Sequence, residues 1–232
     1  MTGLANSTDK PMIFDGPTRD KDSAWSHTPP HLVLVWLAIS LPLVLWDSGY
    51  VLLRPHSMSG GILHTPLWAP YALYAEVDKV YGTKALEEHN GWTATQTSFN
   101  IVETVGYLTY LYLVYTYGEI VPSPGHYQSD PRHRISWHSL KGLNVCRMIH
   151  GHVAARAVLL AYSMALLTFS KSSIYWLIEA YSGFDNIGHN NMVRIIFVWI
   201  IPNGFWLVFP LYMAYIFGTE ILRGLNIGAK RS

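Results

Sequence analysis

The sequence predicts an all-α protein, a four-helix bundle embedded in a membrane, and three observations carry that expectation. Of its 232 residues, 50% are hydrophobic and only 13% are charged. Four apolar segments, Leu32 to Leu53, Ala94 to Tyr117, Val153 to Ile178 and Ile195 to Phe217, each exceed the roughly 20 residues a helix needs to cross a hydrocarbon core of about 30 Å. Inside them stand Asp47, Glu103, Lys171 and Asn203, where an ionisable group costs at least about 2.5–3.5 kcal/mol, so they point to a shared interior polar site.

The expected organisation is a polar tail over 1–30, a four-span membrane domain over 31–218 and a short tail over 219–232. The first tail carries Asp9, Lys10, Asp15, Arg19, Lys21 and Asp22 and has no apolar core of signal-peptide type, so no cleaved leader is expected. Pro29 and Pro30 close it and His31 opens the first span. Pro42 is tolerable there because neighbouring helices can satisfy the freed carbonyl. Arg54-Pro55 ends that span. His56 to Pro66 reads as loop, and the aromatic stretch "PLWAPYALYAEVDKVYG" as one short helix at the membrane interface or over the bundle mouth. Gly118 to about Gly151 reads as a loop rather than a domain. Arg156 and Glu179, near the two ends of the third span, read as solvated end charges.

Basic residues outside the spans set the orientation. Lys10, Arg19, Lys21, Arg132, Arg134, Lys141, Arg147, Arg223, Lys230 and Arg231 fall on one side of four spans, and Arg54, Lys79 and Lys84 on the other, so both termini are expected in the cytosol. A net charge of +1 gives no reason to expect a nucleic-acid partner. The expected partners are the lipid bilayer and a hydrophobic small molecule, and a homodimer is compatible with the sequence. The one cysteine, Cys146, excludes an intrachain disulfide and reads as a small buried hydrophobe. His126, His133, His138, His150 and His152 match no recognised ligand spacing, and no metal site is expected.

A rise of about 1.5 Å per residue places Asp47 about 9 Å, Lys171 about 11 Å, Asn203 about 12 Å and Glu103 about 14 Å from the same membrane boundary. The four therefore share one layer and predict a half-buried pocket. Asp47 and Glu103 would form an acid/base pair, and Lys171 would bridge to one of them. Asn203 and Trp206, three apart on one helix face, would hold a substrate hydroxyl and a transient cation. Trp199, Trp176, Tyr107 and Tyr110 would extend the aromatic lining.

Several motifs resemble those of the emopamil-binding proteins, the sterol Δ8–Δ7 isomerases. "FNIVETVGYLTYLYLV" is similar to that family's glutamate-threonine helix. "SIYWLIEAYSGF" followed by "FVWIIPNGFWLVFPLYM" is similar to its Tyr-aromatic-Leu-x-Glu segment and its Asn-x-x-Trp-Leu-Val-x-Pro helix, and "LVLWDSGYVLL" to the helix with its first acidic residue. The resemblance spans about Leu32 to Phe217 and implies the four-helix domain shared with sigma-2 receptor-like proteins. It gives Glu103 the central acidic role, puts Asp47 in place of the other glutamate, and makes Asn203 and Trp206 substrate contacts. Asp78 and Tyr81 resemble the family's Asp-x-x-Tyr. Leu43 replaces a histidine one turn before the first acid, Gly106 replaces a threonine, and Lys171 stands where a glycine is usual.

The resemblance implies an endoplasmic reticulum enzyme that protonates an alkene, holds a carbocation against aromatic faces and removes another proton, without a cofactor. The leading expectation is an isomerase or cyclase of a hydrophobic terpenoid, sterol or polyketide-derived substrate, a divergent relative of specialised-metabolite type. Authentic sterol Δ8–Δ7 isomerisation is the alternative within that class. A non-catalytic sterol- or amine-binding or transport protein of sigma-2 type is the alternative outside it. The expected catalytic residues are Glu103 and Asp47, and the expected substrate-binding residues are Asn203, Trp206, Tyr107, Trp199, Lys171, Asp78 and Tyr81.

Overall fold

Long helices dominate the computed structural model, which describes residues 25–121 and 146–229. His126, His133 and His138, the basic residues of the 122–145 connection and most of the amino-terminal tail lie outside the described residues. Helix α1 spans His31–Leu52 and α4 spans Trp92–Tyr117, while the short α2 (Tyr71–Val77) and α3 (Thr83–Glu87) lie between them. Helix α5 spans Gly151–Tyr181. The last helix begins as α6 (Met192–Arg194), capped by Asn191, whose Oδ1 accepts from the Arg194 amide at 2.9 Å. It passes through a π-helical stretch, Ile195–Ile200, and continues as α7 (Ile201–Ala229).

Three of these helices are long and apolar enough to cross a membrane: His31–Leu52, Gly151–Tyr181 and Met192–Asn226. Helix α4, the other expected span, is long enough, at 26 residues or about 39 Å, but carries more polar residues. Their placement explains why. Thr93, Thr97, Asn100, Glu103 and Thr104 are buried, whereas Phe99, Ile101, Val102, Val105, Leu108 and Tyr112 are exposed. Its polar face turns into the bundle and its apolar face outward, the reverse of a helix on a water-soluble protein.

Helix α5 packs against α4 and α7, and α1 packs against α4. Ala154, Ala157, Ala161 and Ala165, fully buried at helical spacing on α5, leave room for Met213, Ala214 and Phe217 of α7 and for Tyr107, Tyr110 and Val114 of α4. At Gly106 a Cβ would run into Met164 Sδ, so glycine at this position keeps α4 close to α5.

A small sheet closes one end of the bundle, with strand order β1-β3-β2: β1 is Ser26–His27, β2 Glu119–Val121 and β3 Cys146–His150, all antiparallel neighbours. Residues 26–27, assigned from sequence to the free tail, are thus paired, and both ends of the middle connection are strand rather than loop. His27 is 1% exposed. Its Nδ1 lies 2.6 Å from Glu220 Oε2 and its Nε2 lies 3.0 Å from Tyr110 Oη, which ties β1 to α7 and α4. Cys146 is partly exposed at the start of β3, not buried as expected.

At the opposite end, Glu179 is 1% exposed and corrects its reading as a solvated end charge. Its Oε1 accepts from the amides of Asn186 and Ile187 at 3.0 and 3.1 Å, and its Oε2 from Asn186 Nδ2 at 2.9 Å. A single carboxylate thus folds the connection from α5 to α6 back onto α5 and satisfies two of its backbone donors, that of the buried Ile187 among them.

Candidate functional site

A pocket of about 430 Å³ opens among α1, α2, α4, α5 and the start of the last helix. Its polar wall includes Asp47 from α1, Tyr71 and Tyr74 from α2, Asn100 from α4, Lys171 from α5 and Asn203 from α7. Trp46, Trp176, Phe197 and Trp206 supply much of the apolar lining. Towards the sheet end, α1 and α7 meet through Trp36, which stacks on Phe209 with ring centroids 4.3 Å apart and meets Trp206 edge-on at 5.3 Å. Leu43, Leu73 and Phe197 line the pocket and are also exposed on the outer surface of the helices, so they form its rim.

Helical spacing builds the polar wall. Asn100 and Glu103 are three apart on α4, and Thr168 and Lys171 are three apart on α5, so each pair shares a face, and the two faces meet. Lys171 Nζ donates to Glu103 Oε2 at 2.8 Å and to Asn100 Oδ1. Asn100 Nδ2 in turn donates to Asp47 Oδ2 at 3.4 Å, and Tyr71 Oη donates to Asp47 Oδ1 at 2.5 Å. Behind the pair, Thr168 Oγ1 lies 3.0 Å from Glu103 Oε2 and 3.4 Å from Tyr107 Oη. Tyr71, Asp47, Asn100, Lys171, Glu103 and Thr168 thus form one connected chain. Glu103 is 4% exposed and Lys171 7%, and a buried ion pair of this kind is kept only where further hydrogen bonds satisfy its members.

Glu103 does not line the large pocket. It lies behind Lys171 and borders a second cavity of about 20 Å³, shared with Thr104, Tyr107, Thr168 and Trp206. Glu103 Oε1 and Thr104 Oγ1, both on that cavity's lining residues, have no hydrogen-bond partner among the described residues. The cavity has room for about one water molecule.

The nine site residues expected from sequence therefore fall into three groups. Asp47, Lys171, Asn203, Trp206 and Tyr81 line the large pocket. Glu103 and Tyr107 border the smaller cavity, which Trp206 also touches. Asp78 and Trp199 lie behind the pocket wall and line neither cavity. Asp78 is fully buried and accepts from Tyr175 Oη, from Trp199 Nε1 at 3.0 Å and from the Val80 amide at 3.1 Å. Burial pushes its carboxyl up to about 6, against the pull of the Tyr175, Val80 and Trp199 donors. Trp199 packs on Trp176 with centroids 4.6 Å apart. Asp78 therefore joins α2 to α5 and to the π-helical stretch, and the same stretch orients Asn203, whose Nδ2 donates to Trp199 O at 2.8 Å and to Tyr74 Oη at 3.2 Å.

Sequence reasoning missed Asn100, Tyr71, Tyr74 and Thr168. Asn100 had a signal, an amide one turn before Glu103 in a span that otherwise reads as membrane helix. Tyr71 and Tyr74 lay in the segment expected to fold over the bundle mouth, with nothing in their spacing to pick them from the other aromatics.

Among the described residues no group of histidine, cysteine, aspartate and glutamate side chains is arranged to hold a metal ion. The chain matches no protein-family model, no curated protein and no solved structure.

Proposed function

We propose that the chain is a membrane-embedded isomerase or cyclase that moves a double bond or closes a ring in a hydrophobic terpenoid, sterol or polyketide-derived substrate. The observation that carries this reading is a carboxyl group, Asp47, set in an aromatic pocket of about 430 Å³ and linked through Asn100 to the buried Lys171–Glu103 pair. The motif resemblance to the emopamil-binding proteins supports the same chemistry.

In this reading Asp47 is the group that meets the substrate. It gives a proton to an alkene carbon and leaves a carbocation on the neighbouring carbon. The faces of Trp46, Trp176 and Trp206 hold that charge, a contact worth about 0.5–2 kcal/mol for each ring. Loss of a different proton to the Asp47 carboxylate restores the enzyme, so atoms and electrons balance without an oxidant or reductant. Glu103 acts through Lys171 rather than on the substrate. It neutralises the ammonium and fixes the position from which Lys171 and Asn100 orient Asp47. The distribution of basic residues supports an orientation with both termini in the cytosol, and the motif resemblance supports an endoplasmic reticulum location.

The experiment is conversion. Lipid extracts of cells that express the chain should contain a product with a shifted double bond or a new ring, absent from cells expressing Asp47→Asn. No conversion, with a hydrophobic amine still bound in the pocket, would replace this reading by a binding or transport protein of sigma-2 type.

A further inference from the structure

Lys171 has a donor to spare. An ammonium carries three N–H groups, and two of them go to Asn100 Oδ1 and to Glu103 Oε2. No third acceptor among the described residues approaches Nζ. The side chain is 93% buried, being 7% exposed, and the open space it borders is the large pocket. A buried donor left without a partner costs free energy, more so when it belongs to a charged group. An occupant of the pocket with an oxygen at this point would remove that cost.

Charge selects the kind of oxygen. Glu103 already neutralises Lys171 at 2.8 Å, and the Asp47 carboxyl stands just beyond Asn100. The wall therefore offers no surplus positive charge to a phosphate or a carboxylate. A neutral acceptor needs none. Leu43, Trp46, Phe197 and Trp206 leave the rest of the pocket apolar, so the oxygen belongs on a largely hydrocarbon skeleton.

We infer that Lys171 Nζ is an oxygen-recognition group, which selects a hydrophobic ligand bearing a neutral acceptor oxygen, that of a carbonyl or an epoxide, over the corresponding hydrocarbon. This rests on the proposed reading of the pocket as the substrate site and narrows its substrate class to oxygenated skeletons. Lys171 also polarises the bond to that oxygen, drawing electron density from the carbon next to it.

The test is binding of matched pairs to the full chain in lipid nanodiscs, with cholestanone against cholestane for the carbonyl and caryophyllene oxide against caryophyllene for the epoxide. At least one oxygenated member should bind the wild type about tenfold to a hundredfold more tightly than its hydrocarbon, the range expected for one hydrogen bond from a charged donor. Which pair shows the preference separates carbonyl from epoxide. Lys171→Met should erase it. Because that variant leaves Glu103 unpaired, the double variant Lys171→Met with Glu103→Gln repeats the measurement with both charges removed. Equal binding within both pairs for the wild type, or a preference that survives in the variants, would overturn the inference. The measurement needs no turnover. A wild type that converts nothing yet shows the Lys171-dependent preference keeps this inference and loses the isomerase, and conversion without the preference does the reverse.

Discussion

Asn100 stands between Asp47 and Lys171, giving its amide N–H to the carboxyl at 3.4 Å and taking an N–H from the ammonium on its carbonyl. The two ionisable side chains of the pocket wall are therefore joined through a neutral group that accepts on one side and donates on the other. An amide suits this place, since neither a carboxylate nor an ammonium could do both at once.

Asn100→Leu should uncouple the two. The side chain keeps about the same volume, but Asp47 Oδ2 and Lys171 Nζ each lose a buried partner, a loss of about 1–3 kcal/mol for each group. Thermal unfolding in detergent should show the destabilisation. Conversion should fall further than the remaining folded fraction explains, because Asp47 would no longer be held towards the substrate. Asn100→Gln, which keeps the amide on a longer arm, should restore part of both.

The buried pair gives a second expectation. Removing one member of a buried ion pair costs about 3–5 kcal/mol because the other charge is left uncompensated, whereas removing both is often close to neutral. Lys171→Met and Glu103→Gln should each lower stability, and the double variant should recover much of the loss. A double-mutant cycle measures this directly. Additive losses would mean that the 2.8 Å contact contributes little.

Asp78 sets a pH dependence. Its folded-state carboxyl lies at about 6, against an ordinary value of 3.8, so the folded state binds this proton more tightly than the unfolded one. Its contribution to stability is most favourable below about pH 4, declines as pH rises to about 6 and is flat above, a change of up to about 3 kcal/mol at about 1.4 kcal/mol per unit. Unfolding of the wild type and of Asp78→Asn across this window should differ in slope, with the variant lacking the decline. Equal slopes would show that Asp78 keeps an ordinary carboxyl.

Helices α1 and α5 and the last helix were legible because their apolar runs are long and lightly interrupted. Helix α4 was legible from its length and its outward face, but the polar side chains that build the site also lower its hydropathy below that of the other three. The sheet was not legible. Strands of two, three and five residues have no periodicity to read, and β1 and β3 are far apart in sequence. Depth along a helix put Asp47, Glu103, Lys171 and Asn203 in one layer, but depth does not give direction. Asn100 lines the large pocket, and Glu103, one turn further along the same face of α4, borders the small cavity instead. Glu179 was misread for a related reason. Its place at a helix end suggested solvent, and only the path of the loop over 182–191 reveals the amides that enclose it.

The most direct measurement is conversion by Asp47→Asn. Asn keeps the size and hydrogen-bonding shape of the side chain and removes only its capacity to carry a proton, so Tyr71 and Asn100 retain a partner. With a positioned acid or base worth about 10²–10⁴ in rate, product in lipid extracts should fall by at least a hundredfold while the folded protein and its ligand affinity persist. Near wild-type conversion by Asp47→Asn would contradict the account, because no other carboxyl group lines the pocket among the described residues.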